Sequence, residues 1–287
     1  MPAKLSGKVA VVAGASRGAG RGIALALGHA GATVYVAGRT TRGGRKPIDG
    51  APGTVQDTAE EVSSRGGQGI AIPTDCTSPE EVAFLFARVQ SEQGHLDVLA
   101  CSIFDGVNFM QTWGKPFWEQ PASDWRDGIT GAAALYLTSR HAAAIMSKQK
   151  SGLIVGITDM IMDEREVRGY CGHMMMDLGH ETINRLMFNM SEELKKHKVA
   201  VCTLMPGFMR TERVLMHLKT DELKKQFGFE RAESPEYLGR AVAALAADPK
   251  GALARSGKIS FVADIAEQYG FTDIDGRKVP RFQVQAS

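Results

Sequence analysis

Three glycines give the first chemical signal. Gly14, Gly18 and Gly20 lie in the run Ala13-Gly14-Ala15-Ser16-Arg17-Gly18-Ala19-Gly20, between an apolar stretch and a segment of helical spacing. Gly14 permits a tight turn and Gly18 a close approach of backbone to a pyrophosphate. Gly20 lets the following helix pack on the preceding strand. The N–H groups of that helix, with those of Ser16, Arg17 and Ala19, would face phosphate charge; a plain loop is the bland alternative. Metal chemistry finds no such spacing. His180, Glu181 and His217 fit no HExxH pattern and read by default as surface or core residues, and Met174-Met175-Met176 reads as adaptable packing or a lipophilic pocket wall.

A parallel sheet must position that turn. Val9–Val12, Thr33–Val36, Gly69–Ile72, Val98–Ala100, Leu153–Val155, Val199–Val201 and Lys258–Phe261 are short apolar or β-branched runs, continuous rather than alternating. Such strands are covered on both faces. Helical stretches lie between them. Ser78-Pro79-Glu80-Glu81 reads as a cap, a first-turn proline and two acids matched to the dipole, ahead of Val82, Leu85, Phe86 and Val89. Glu181–Lys196 carries a similar stripe. Alternating strands and helices predict an α/β fold, Rossmann-type and doubly wound, with a seven-stranded parallel sheet and helices on both faces. One domain, residues 1–287, is expected. Two loops interrupt the rhythm: the basic, glycine- and proline-rich 39–53 after the second strand, and the aromatic 106–121 after the fourth, at the ligand-binding edge of such sheets.

Composition excludes several classes. The 287 residues hold 34 basic and 32 acidic side chains, net charge +2, so nucleic acid and membrane surfaces are not expected partners. No apolar run reaches the roughly 18 residues of a membrane helix, and residues 1–8 lack the apolar core of a signal peptide. Cys76, Cys101, Cys171 and Cys202 form no ligand-like pair, which fits a reducing cytoplasm.

The G-x3-G-x-G spacing resembles the short-chain dehydrogenase/reductase superfamily. Leu96-Asp97-Val98-Leu99, Asp75 after the third strand, Tyr170, and Pro206-Gly207-Phe208-Met209-Arg210-Thr211 extend that likeness over nearly the whole chain. Gly18–Tyr35, Phe117–Ser123 and Tyr269–Arg277 are similar to the subgroup called dehydrogenase/reductase member one. The likeness implies a nicotinamide cofactor held by the glycine turn, by Asp75 with Cys76, and by Pro206, Gly207 and Thr211. Cys101-Ser102 stands where the family has Asn-Asn, so that network must differ. Arg39 sits where an acid would hold a ribose 2′-hydroxyl, and Arg17 is near the same corner. Two guanidiniums favour NADP(H) over NAD(H), with solvated surface arginines as the plainer alternative.

The same likeness implies hydride transfer to a carbonyl carbon, with a Tyr as proton donor, a Lys four residues on, a Ser after the fifth strand and an Asn in the fourth helix. Tyr170 fits the first. Met174 replaces the Lys, Asp159 takes the Ser position beside Thr158, and Gly131 or Ala132 stands for the Asn. His173, three residues after Tyr170, is the candidate substitute charge, with a merely polar helix residue as the alternative. Tyr170, Asp159 and His173 are thus the expected catalytic set. The expected function is an NADP(H)-dependent oxidoreductase of a small carbonyl or alcohol with a non-standard site. The alternatives are a non-redox lyase, isomerase or cyclase with structural NADP(H), or a non-catalytic NADP(H)-binding protein. Relatives commonly pair their fourth and fifth helices across a two-fold axis, and the alanine-rich 132–144 and methionine-rich 174–190 stretches suit a homodimer or homotetramer.

Overall fold

The computed structural model describes residues 5–47, 49–104, 106, 108–159, 162–163, 166–167, 172–226 and 228–281. The seven apolar runs all form strands, and all pair in parallel. They are β1 (Val9–Ala13), β2 (Thr33–Gly38), β3 (Gln68–Pro73), β4 (Val98–Cys101), β5 (Gly152–Ile157), β8 (Val199–Met205) and β9 (Ile259–Phe261), while β6 (Met162–Asp163) and β7 (Glu166–Val167) form a separate antiparallel ladder. The seven-stranded order is β3-β2-β1-β4-β5-β8-β9. The chain steps outward from β1 in both directions, which is the doubly wound Rossmann-type arrangement.

Side chains alternate between two cores. Ala10, Val12, Val34 and Val36 face one core, and Val9, Val11 and Tyr35 face the other. On the first side pack α1 (Gly18–His29), α2 (Val55–Ser64), α9 (Pro235–Ala247), α10 (Pro249–Ala254) and α11 (Val262–Tyr269); on the second pack α3 (Pro79–Gln93), α5 (Ser123–Gln149) and α6 (Met174–Leu194). Short helices α4 (Phe109–Thr112), α7 (Glu212–His217) and α8 (Asp221–Gln226) lie in the connections.

The predicted cap is present: Ser78 Oγ accepts from Glu81 N at 3.2 Å, with Pro79 in the first turn. The stripe expected from Glu181 belongs to a longer helix that opens at Met174. None of the described helices is long and apolar enough to cross a membrane.

Candidate active site

The sheet order reverses between β1 and β4, so the loops leaving these strands part company and leave a crevice at their carboxyl ends. A cavity of about 630 Å³ occupies it. Gly14, Ser16, Arg17, Gly18 and Ala19 line one wall, below Arg39 from the end of β2 and Asp75 with Cys76 beyond β3. Cys101 and Ser102 line it from β4, Thr158 and Asp159 from β5, and Pro206, Gly207 and Thr211 from beyond β8.

The glycine turn is built as its spacing demands. Gly14 takes φ 82°, and its N–H donates to Ala37 O at 2.9 Å, tying the turn to β2. Gly20 does not reach the cavity. It lies under the turn, where a Cβ would stand 2.3 Å from Gly14 O, a contact no side chain survives. The tight turn, the close helix and the N–H groups opening α1 fit the pyrophosphate of a dinucleotide.

The adenosine end differs in part from expectation. Arg17 Nε and Nη2 donate to Pro52 O at 3.1 Å and Gly53 O at 2.7 Å, so this guanidinium braces loop 39–53. Burial, then the neighbouring Arg213, lowers its pKa from the ordinary value. Arg39, the other arginine expected at a 2′-phosphate, lines the cavity beside the end of β2. Arg45, from the same loop, also lines the cavity and pairs with Asp75 Oδ2 at 3.2 Å, while Asp75 Oδ1 accepts from Thr77 N and Oγ1. Sequence reasoning left Arg45 unassigned among the loop's basic residues. Cys76 and Cys101 are buried thiols. Burial pushes Cys101 up to about 11, so it stays protonated at neutral pH.

At the other end, Asp159 and His180 meet. His180 Nδ1 lies 2.9 Å from Asp159 Oδ1 and 3.0 Å from Met176 O, with the Phe104 ring 5.1 Å away. Burial opposes the imidazolium, but the Asp159 carboxylate outweighs it, and the His180 pKa is raised. By sequence alone His180 has no assigned role and reads by default as a surface or core histidine. Only the tertiary fold, which lays α6 beside the end of β5, reveals its partner. Phe104, Trp113 and Met176 supply apolar wall.

His173 stands apart from this pair. It does not line the cavity; it is 0% exposed, with Nε2 at 3.0 Å from Thr112 Oγ1 and 3.2 Å from Asp124 Oδ2, and its ring stacks on Phe109. It precedes α6 with extended backbone, φ −147°, so it does not share a helical face with Met174. These contacts lock the 109–124 segment against α6. Tyr170 lies outside the described residues. Met174 opens α6 and is 40% exposed.

The segment after β8 is held from behind. Gly207 N donates to Glu233 Oε2 at 3.0 Å, and Arg210 reaches Asp273 at 2.9 Å and Asp275 at 3.1 Å. The Tyr269–Arg277 motif therefore acts as a clasp under the cofactor-facing loop. Glu233 is 2% exposed, and burial pushes its carboxyl up to about 8, with the nearby Asp273 adding to the rise.

Residues 8–222 match the short chain dehydrogenase family. Over 289 aligned residues the chain is 38% identical to human dehydrogenase/reductase SDR family member 1, covering 97% of this chain and 87% of that one. A metagenomic short-chain oxidoreductase solved in complex with NADP superposes with a TM-score of 0.65 at 26% identity, over 85% of this chain and 93% of that one. The fold is also shared with a dehydrogenase from Xanthomonas campestris, TM-score 0.79 at 21% identity, over 96% and 94% of the two chains.

Proposed function

Since the chain belongs to the short-chain dehydrogenase/reductase family, we propose that it is an NADP(H)-dependent oxidoreductase acting on a small carbonyl or alcohol through a non-standard site. One observation carries this reading: a single cavity joins the glycine turn and Arg39 at one end to Asp159 and His180 at the other. NADPH, when bound, supplies a hydride from its nicotinamide ring. The chain's residues do the rest. The turn and the opening of α1 hold phosphate, Arg39 meets the 2′-phosphate, and Pro206, Gly207 and Thr211 bound the nicotinamide end. Tyr170 donates the proton to the carbonyl oxygen. His180, whose pKa the adjacent Asp159 carboxylate raises, stands in for the cation that Met174 does not provide.

The apolar walls from the loops after β4, β5 and β8 suit a lipophilic carbonyl within one domain. The buried thiols suit a cytoplasmic setting. Trp125 and Tyr136 on α5, and Leu178 and Phe188 on α6, are exposed apolar residues that suit pairing of these helices in a homodimer or homotetramer.

Arg39→Ala tests the cofactor assignment. NADPH binding should weaken by about 1.5–3 kcal/mol, the range for a charged hydrogen bond, and NADH binding should barely change. Titration of both cofactors checks this, and equal losses would sink the assignment.

A further inference from the structure

Gly18 N–H, opening the twelve-residue α1, points at the place where a dinucleotide's pyrophosphate sits. Here that N–H donates to Glu212 Oε2 at 2.7 Å, and Arg21 Nη1 holds Oε1 at 3.4 Å. Glu212 is the first residue of α7, directly after Thr211. Its neighbour Arg213 pairs through Nε with Asp49 of loop 39–53, the loop that Arg17 also braces. A helix on one lip of the crevice is thus tied to the glycine turn beneath it and to the loop on the opposite lip. Glu212, Arg213 and Val214 all line the cavity.

We propose that Glu212 is an affinity-setting residue of the cofactor site: its carboxylate occupies the anion seat of the glycine turn and yields it to the pyrophosphate, releasing α7. This rests on the dinucleotide reading above. One N–H cannot donate in line to a carboxylate and a phosphate together, and the two anions repel at that distance. Arg21 has a second partner in Glu61, so it stays anchored when Glu212 leaves. Because α7 borders the substrate half of the cavity as well, its release couples cofactor entry to the shape of the substrate pocket.

The test uses the full-length protein and its Glu212→Ala and Glu212→Gln variants, titrated with NADPH and with adenosine 2′-monophosphate. The latter carries the 2′-phosphate but no pyrophosphate. Glu212→Ala should tighten NADPH binding about tenfold, the equivalent of one competing charged hydrogen bond. Glu212→Gln should tighten it in the same direction, and adenosine 2′-monophosphate should bind all three proteins alike. Amide hydrogen exchange across residues 212–217 should be faster in cofactor-free Glu212→Ala than in the wild type. Unchanged or weaker NADPH binding in both variants would overturn the proposal, as would an equal gain for adenosine 2′-monophosphate, which would mark only a long-range charge effect. If no form of the protein binds NADPH, the cofactor reading itself falls, and this proposal with it.

Discussion

Tyr170→Phe is expected to abolish NADPH-dependent carbonyl reduction and to leave NADPH binding nearly unchanged. The phenol hydroxyl is the proton donor in this reading, and phenylalanine keeps the ring while removing the proton. The direction of the natural reaction follows from its surroundings. Met174, where relatives carry a lysine, has no charge to bring a phenol from its reference pKa near 10 toward neutrality. The replacement in this reading is the His180 imidazolium, and part of its field is cancelled by the Asp159 carboxylate at 2.9 Å. Tyr170 should therefore work protonated, as a donor, and alcohol oxidation should be poor below about pH 9. Reduction of a carbonyl panel and oxidation of the matching alcohols, across that pH range, checks both halves. Full activity in Tyr170→Phe would move the proton-transfer role to Asp159 and His180.

Glu233→Gln is expected to change how stability depends on pH. The Glu233 carboxyl has a folded pKa of about 8 against an ordinary 4.5, because burial disfavours its charged form and Asp273 repels it. The folded protein therefore holds one more proton than the unfolded chain between those two values. Stability from this group is fully present below the unfolded pKa and is lost as pH rises through the folded one, at roughly 1.4 kcal/mol per pH unit within the window. The whole loss is on the order of 5 kcal/mol. Glutamine keeps an acceptor for Gly207 N–H and does not titrate. Urea unfolding of the two proteins from pH 4.5 to about 8 should show the difference between them moving in favour of Glu233→Gln as pH rises. A difference that stays constant with pH would show that Glu233 ionises normally.

The scaffold was legible because it rests on local signals. Each of the seven strands is a continuous apolar run, the Ser78 cap is written in four residues, and Gly14 and Gly20 sit at a turn that admits no other residue type. Arg39, Asp75 and the Pro206–Thr211 segment fall at strand ends, and a doubly wound sheet brings all strand ends to one edge. The chemistry at the far end was less legible, because it depends on contacts between distant segments. Asp159 lies two residues past β5 and His180 lies within α6, and nothing in their spacing announces an ion pair. The setting of His173 was hidden for a related reason. The residue was placed by counting along a helix that begins one residue later, and Thr112 and Asp124, which it meets, come from two other helices, α4 and α5. Glu212 had no sequence signal at all, since its partner is a backbone N–H far along the chain.

Hydride transfer itself is the central claim, and an isotope label tests it most directly. The purified protein is mixed with NADPH carrying deuterium at its transferable nicotinamide position, in the presence of aromatic and aliphatic carbonyl compounds. Oxidation of the cofactor should be matched by an equal amount of alcohol with the deuterium on the carbinol carbon. Tight NADPH binding without oxidation, and no label in any product, would contradict the oxidoreductase reading and leave a chain that keeps the cofactor site for another purpose.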